Sequence, residues 1–151
     1  MDKLNIIHKA EDKGGAARRE AIEDVLVTAR KLGCDLNLGG GQAGGFNIRY
    51  GSIGYALMDL NTRGTVKLYV QPHPGKDAPQ ELVDALNGFI DAHDALEPKS
   101  SPINSYGHLD AKIEEIPTGA LSAYLQEAMR LIYETYYRPH FERDVEGLAL
   151  D

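Results

Sequence analysis

Residues 46–70 decide the fold, and their sequence is FNIRYGSIGYALMDLNTRGTVKLYV. Apolar or aromatic side chains recur at every second position in three runs: Phe46, Ile48 and Tyr50; Ile53, Tyr55 and Leu57; Val66, Leu68 and Val70. A period of two is typical of β-strands, whose side chains alternate between the two faces of a sheet. Residues 51–52 and 61–64 have the composition of turns. The stretch therefore predicts three consecutive strands in an antiparallel meander.

Helical periodicity flanks this meander. Residues 16–32 repeat apolar positions every three or four residues, as do residues 79–92 and 118–139, so three helices are expected. Residues 109–113 alternate apolar and polar side chains and predict a fourth strand between the last two helices. The predicted fold class is α+β, with a four-stranded, mainly antiparallel sheet covered on one face by helices, in the order α-β-β-β-α-β-α.

The length of 151 residues is typical of one domain. We expect a single α+β domain over residues 1–151, with a flexible lead-in at residues 1–15 and a flexible tail at residues 142–151. Five glycines lie within the seven positions from Gly39 to Gly45. Because glycine is entropically costly to order, this run is predicted to be a mobile loop that contributes little to stability.

Composition and charge limit the classes of function. Hydrophobic residues make up 42% and charged residues 26% of the chain, which excludes a collagen-like or wholly disordered protein. A net charge of -7 disfavours indiscriminate binding to nucleic acids or anionic membranes. One cysteine, no apolar run of membrane-spanning length and no signal-peptide pattern predict a cytoplasmic protein without an internal disulfide. No cofactor is expected, because the glycine run lacks the flanking pattern of a phosphate-binding loop.

The candidate binding residues are Tyr133, Tyr137, Arg138 and His108. Eight tyrosines and no tryptophan occur in the chain, and tyrosine either packs a core or offers a stacking platform. No helical stripe buries all the tyrosines near the end of the last helix, so Tyr133 and Tyr137, with Arg138, are expected to contact a ligand or a partner. Alternatively, these rings lie flat on the protein's own surface. Burial of the rings across a two-fold axis would give a homodimer.

A second hypothesis is catalytic. Asp110 and Lys112 have the Asp-x-Lys spacing of a nuclease strand, in which the carboxylate holds a divalent metal and the lysine activates water or stabilises charge. A second acidic ligand would have to come from Asp59 or Asp94. His108, two residues before Asp110, would share its strand face. The alternative is a solvated strand face without chemistry.

Three segments also carry a resemblance to known families. They are Phe46–Tyr50 with the following meander, Val66–Pro72, and Ser105–Leu109 continuing through the last helix to Tyr137. Together they resemble small domains of unknown function associated with PD-(D/E)XK-type nucleases and, about equally, the MmcQ/YjbR-type fold. Either resemblance implies a compact α/β module that accompanies nucleic-acid machinery, with no catalytic residues to carry over.

These observations favour binding over catalysis. The leading hypothesis is a non-enzymatic binding or accessory domain in nucleic-acid processing or defence, which uses its exposed sheet face or its tyrosine-bearing helix. Its expected partner is another protein or a second copy of the chain, with nucleic acid disfavoured by the net charge and no membrane. The alternative is a metal-dependent phosphodiesterase that uses Asp110 and Lys112.

Overall fold

The computed structural model describes residues 2–39, 44–51, 54–71, 78–117 and 119–139. The predicted tail at residues 142–151 lies outside these ranges. The helices are α1 (Lys3–Lys31), α2 (Gln80–Asp91) and α3 (Ala120–Ile132). The strands are β1 (Asp35–Gly39), β2 (Gly45–Tyr50), β3 (Tyr55–Asn61), β4 (Val66–Tyr69) and β5 (Tyr106–His108). The fold is α+β.

The strands form one sheet in the order β1-β2-β3-β4-β5, and each strand is antiparallel to the next. The meander predicted from residues 46–70 is confirmed. The prediction of four strands is wrong, because β1 precedes the meander. Its sequence, Asp-Leu-Asn-Leu-Gly, contains residues that are depleted in strands, and it gains its structure by pairing with β2. Of the predicted glycine loop, Gly39 ends β1 and Gly45 begins β2, while residues 40–43 lie outside the described ranges.

The first helix starts earlier than its periodicity predicts. Helix α1 begins at Lys3, and it includes Ile6 and Ala10, which are buried in the core. Gly15 has a φ of 82° and a ψ of -179°, which is not helical, so the chain kinks there. The kink interrupts the apolar stripe, and for this reason the sequence shows only the part of the helix that follows it.

The fourth predicted strand is also misplaced. The structure has β5 at Tyr106–His108, whereas Leu109 only forms an isolated bridge with Pro98 and residues 113–115 form a short 3-10 helix. Leu109 and Ile113 are both buried, so their apolar character reflects burial in a turning chain rather than a strand. The observed order is α-β-β-β-β-α-β-α.

The core lies between the helices and one face of the sheet. The apolar stripes predicted for α2 and α3 are confirmed, since Leu82, Leu86, Tyr124 and Leu125 are fully buried. Helix α3 continues as a π-helical turn over residues 133–137. Among the described residues, no helix is long and apolar enough to cross a membrane.

Candidate functional site

The strand register places polar side chains side by side on one face of the sheet. Directly paired residues in neighbouring strands point to the same face. The row runs across all five strands: Asn37, Asn47, Asp59, Lys67 and His108. Because most of the residues that flank this row in the strands are buried in the core, the row faces away from the helices.

Three further side chains belong to this face. Arg49 lies two positions beyond Asn47 in β2, Tyr69 lies two positions beyond Lys67 in β4, and Tyr106 is paired with Tyr69. We call the row together with Arg49, Tyr69 and Tyr106 the polar sheet face. It is the candidate functional site.

Asp59 is the centre of a hydrogen-bond network on the polar sheet face. Tyr69 donates its hydroxyl proton to Asp59 Oδ2 at 2.7 Å, and Asn47 Nδ2 donates to Asp59 Oδ1. Arg49 Nε in turn donates to Asn47 Oδ1. Lys67 Nζ lies 3.8 Å from Asp59 Oδ2. These donors fix the orientation of the carboxylate, so the network forms a preorganised floor.

Burial raises the pKa of the Tyr69 phenol above its ordinary value, and the bond to Asp59 raises this pKa further. The phenol therefore stays protonated at neutral pH. It acts as a donor that holds the carboxylate in place.

The aromatic part of the face lies beside this network. Tyr106 is 51% exposed, and its ring centroid is 5.8 Å from that of Tyr69. The ammonium group of Lys67 is 4.2 Å from the Tyr106 centroid and 5.5 Å from the Tyr69 centroid, within the range of cation–π attraction. An exposed ring with a cation beside it can stack a planar group and contact a nearby anion.

Gly107 explains why Tyr106 and His108 both face outward. Gly107 faces the core, and a Cβ on this residue would lie 2.8 Å from Ile103 Cδ1. Glycine therefore lets β5 approach the Ile103 side chain closely. The alternation then directs both neighbours to the polar sheet face.

His108 is exposed, and its imidazole makes an edge contact with Tyr106 at a centroid distance of 6.0 Å. Partial desolvation lowers the pKa of His108 below its ordinary value, and the cations of Lys67 and Lys99 lower it further, while Asp59 acts in the opposite direction. The lowered pKa favours the neutral ring, which can accept a hydrogen bond.

The other predicted binding residues lie elsewhere. Tyr133 and Tyr137 stack on each other with centroids 5.8 Å apart, and Tyr137 also contacts Tyr50 at 5.6 Å. Tyr50 pairs with the buried Tyr55 and so faces the helices. The structure therefore brings Tyr133 and Tyr137 together, with Arg138 next in the chain, on the helix side. His108 belongs to the opposite face.

The residues of the catalytic hypothesis lie in an exposed turn. Asp110 donates its backbone N–H to the Glu97 carbonyl, and Lys112 donates its own to Glu115 Oε1. Because β5 ends at His108, Asp110 does not share a strand face with it. Within the described ranges, no group of three histidine, cysteine, aspartate or glutamate side chains could hold a metal ion. The catalytic hypothesis stays a prediction.

Cys34 is buried and its thiol lies 3.7 Å from the Met129 sulfur. Burial raises the pKa of this thiol to about 11. The side chain packs in the core as a small apolar group and is not activated as a nucleophile.

Four residues of this face were not selected from the sequence: Asn47, Arg49, Lys67 and Tyr106. The signal was present in the alternation itself, because the positions between apolar strand residues form one face. Strand order and register place Asp59, Lys67 and His108 side by side, and no short sequence motif encodes either of them.

Comparison with protein-family models, with curated proteins and with solved structures found no match. The resemblances based on the three segments therefore stay predictions.

Proposed function

We propose that this protein is a binding module whose polar sheet face binds single-stranded nucleic acid. The observation that carries the proposal is the Tyr69–Tyr106 ring pair with the Lys67 ammonium beside both rings. Sheet faces that bind single strands combine aromatic side chains, on which bases stack, with cations that contact the backbone.

Tyr106 is the stacking platform of this proposal because half of its surface is exposed. Tyr69 is largely buried and supports it from the side. The exposed His108 ring supplies a group that can hydrogen-bond to a base edge, while the buried Asn47 amide holds the Asp59 carboxylate in place beneath it.

The charges favour a short single strand over a duplex. Three cations lie on or beside the face: Arg49, Lys67 and Lys99. Their positive charge is partly offset by the carboxylates of Asp59 and of Asp35, which lies opposite Arg49 in the neighbouring strand. With about three cations, each neutralising one phosphate, the logarithm of the binding constant should fall with the logarithm of the salt concentration with a slope near -2, at roughly -0.7 per phosphate. The net charge of -7 repels the rest of a polynucleotide, so most of the affinity must come from stacking.

The same geometry favours binding over catalysis. The carboxylate of Asp59 already accepts hydrogen bonds from Asn47 and Tyr69 and lies close to Lys67. It therefore serves to hold the floor of the site in place.

The test is fluorescence anisotropy with a labelled oligouridine of about 12 nucleotides at low salt. Substitution Tyr106→Ala should weaken binding about ten-fold, because stacking on an aromatic ring contributes on the order of 1–3 kcal/mol per base. The matched control is Tyr133→Ala. Tyr133 is 42% exposed and lies on the helix side, and this variant should bind like the unmodified protein.

Two results would contradict the proposal. One is the absence of binding to the oligonucleotide even at low salt. The other is weaker binding in Tyr133→Ala with full binding in Tyr106→Ala, which would move the site to the tyrosines that follow α3.

A further inference from the structure

Strand β1 is an edge of the sheet, since its sheet partner among the described residues is β2 alone. Its sequence contains neither lysine nor proline, which commonly protect edge strands from pairing. Leu38 is 47% exposed although it faces the helix side of the sheet. In the part of the chain that the structure describes, the outer side of β1 therefore has no strand partner, and Leu38 adds an exposed apolar side chain.

We propose that β1 pairs with β1 of a second copy of this chain, antiparallel and across a two-fold axis. An arrangement centred on Asn37 uses the whole strand. It sets Leu36 of one copy opposite Leu38 of the other, and Asp35 opposite Gly39. No like charges face each other, and the exposed Leu38 gains an apolar partner.

The consequence is a continuous ten-stranded sheet. Asn37 is the end of the polar row in one copy, and in the dimer it meets Asn37 of the other copy. The two polar sheet faces then lie on the same side of one sheet and form a site of twice the length. The pairing itself does not require the proposed nucleic-acid ligand.

Pairing of two five-residue strands buries less surface than a permanent dimer requires, so the association should depend on concentration. Sedimentation equilibrium of the full chain should show a mass that rises from 16.5 kDa towards twice that value. Substitution Leu38→Lys should hold the mass at the lower value, because the pairing would bring two copies of the new charge against apolar neighbours.

The matched control is Tyr133→Lys, which also places a lysine at an exposed apolar position. It should associate like the unmodified chain, whereas a dimer built on the tyrosines after α3 would dissociate. Circular dichroism checks that each variant is folded, and Leu38→Ser replaces Leu38→Lys if that variant is not. A constant mass of 16.5 kDa for the unmodified chain, or loss of association only in Tyr133→Lys, would overturn the proposal.

Discussion

At the scale of single residues, Arg18 ties helix α1 to the turn after β3 and to the short 3-10 helix at residues 113–115. It is only 8% exposed, and its Nε and Nη2 donate to the Glu114 carboxylate at 3.0 and 2.6 Å. Nη1 donates to the Thr62 carbonyl at 3.2 Å. A Cβ at Gly14 would lie 2.1 Å from Arg18 Nε. Glycine is therefore needed there to make space for the guanidinium group.

Substitution Arg18→Met should lower the free energy of unfolding by about 3 kcal/mol, because it leaves the Glu114 carboxylate largely buried without its partner. The measurement is urea unfolding. The control is Arg19→Met, which removes the more exposed pairs with Glu11 and Glu23 and should cost much less stability. Equal losses in the two variants would contradict the assignment of Arg18 as the structural tie.

The same ion pair predicts a pH dependence. Arg18 lowers the pKa of Glu114 below its ordinary value of 4.5. The unfolded chain therefore binds the proton more readily than the folded chain, so the stabilisation is complete above about pH 4.5 and is lost as the pH falls through the folded pKa. The gap in stability between Arg18→Met and the unmodified protein should narrow in acid. A constant gap would show that the loss comes from packing alone.

His108 gives a test of the electrostatics of the polar sheet face. Its pKa, measured by NMR titration, should lie below 6.5. Lys67→Met should raise this pKa and Asp59→Asn should lower it, because the first removes a nearby cation and the second a nearby anion. Shifts of the opposite sign would contradict the charge arrangement described for the row.

At the scale of elements, the glycine run contains a position that strand packing restricts to glycine. Gly45 begins β2, and a Cβ there would lie 2.3 Å from the backbone oxygen of Leu60 in β3. The close approach of two strands therefore requires glycine at this position. The whole run was expected to contribute little to stability, because strand pairing in the fold cannot be inferred from a count of glycines.

Substitution Gly45→Ala should lower the free energy of unfolding by about 2 kcal/mol, since neither strand can move without losing pairing. Thermal or urea unfolding measures the change. The control is Gly88→Ala in α2, where a Cβ would meet nothing within 4 Å. It should stabilise the protein by about 0.5–1 kcal/mol, because alanine favours a helix over glycine. A tolerated Gly45→Ala would show that β2 and β3 are further apart.

The elements also show what periodicity can and cannot predict. The meander and the stripes of α2 and α3 follow from local patterns, because each of these elements buries a regular face. Strand β1 and the first part of α1 were missed. Strand β1 depends on pairing with β2, and the first part of α1 is separated from the rest of the apolar stripe of that helix by the kink at Gly15.

At the scale of the whole molecule, the candidate site is a product of topology. His108 was selected from the sequence, and Asp59 was considered only as a metal ligand. Their placement in one row with Lys67 requires β4 to lie between β3 and β5. Tyr133 and Tyr137 were selected because they do not fit a stripe. In the fold, Tyr137 contacts Tyr50, and Tyr133 stacks on Tyr137.

NMR mapping of the polar sheet face tests directly whether it binds single-stranded nucleic acid. The ¹⁵N-labelled protein is titrated with the same oligouridine, and amide shifts are followed residue by residue. The largest shifts should cluster at Asn47, Asp59, Lys67, Tyr106 and His108, with Tyr133 and Tyr137 unchanged. Shifts confined to the segment after α3, or no shifts at saturating oligonucleotide, would contradict the proposal.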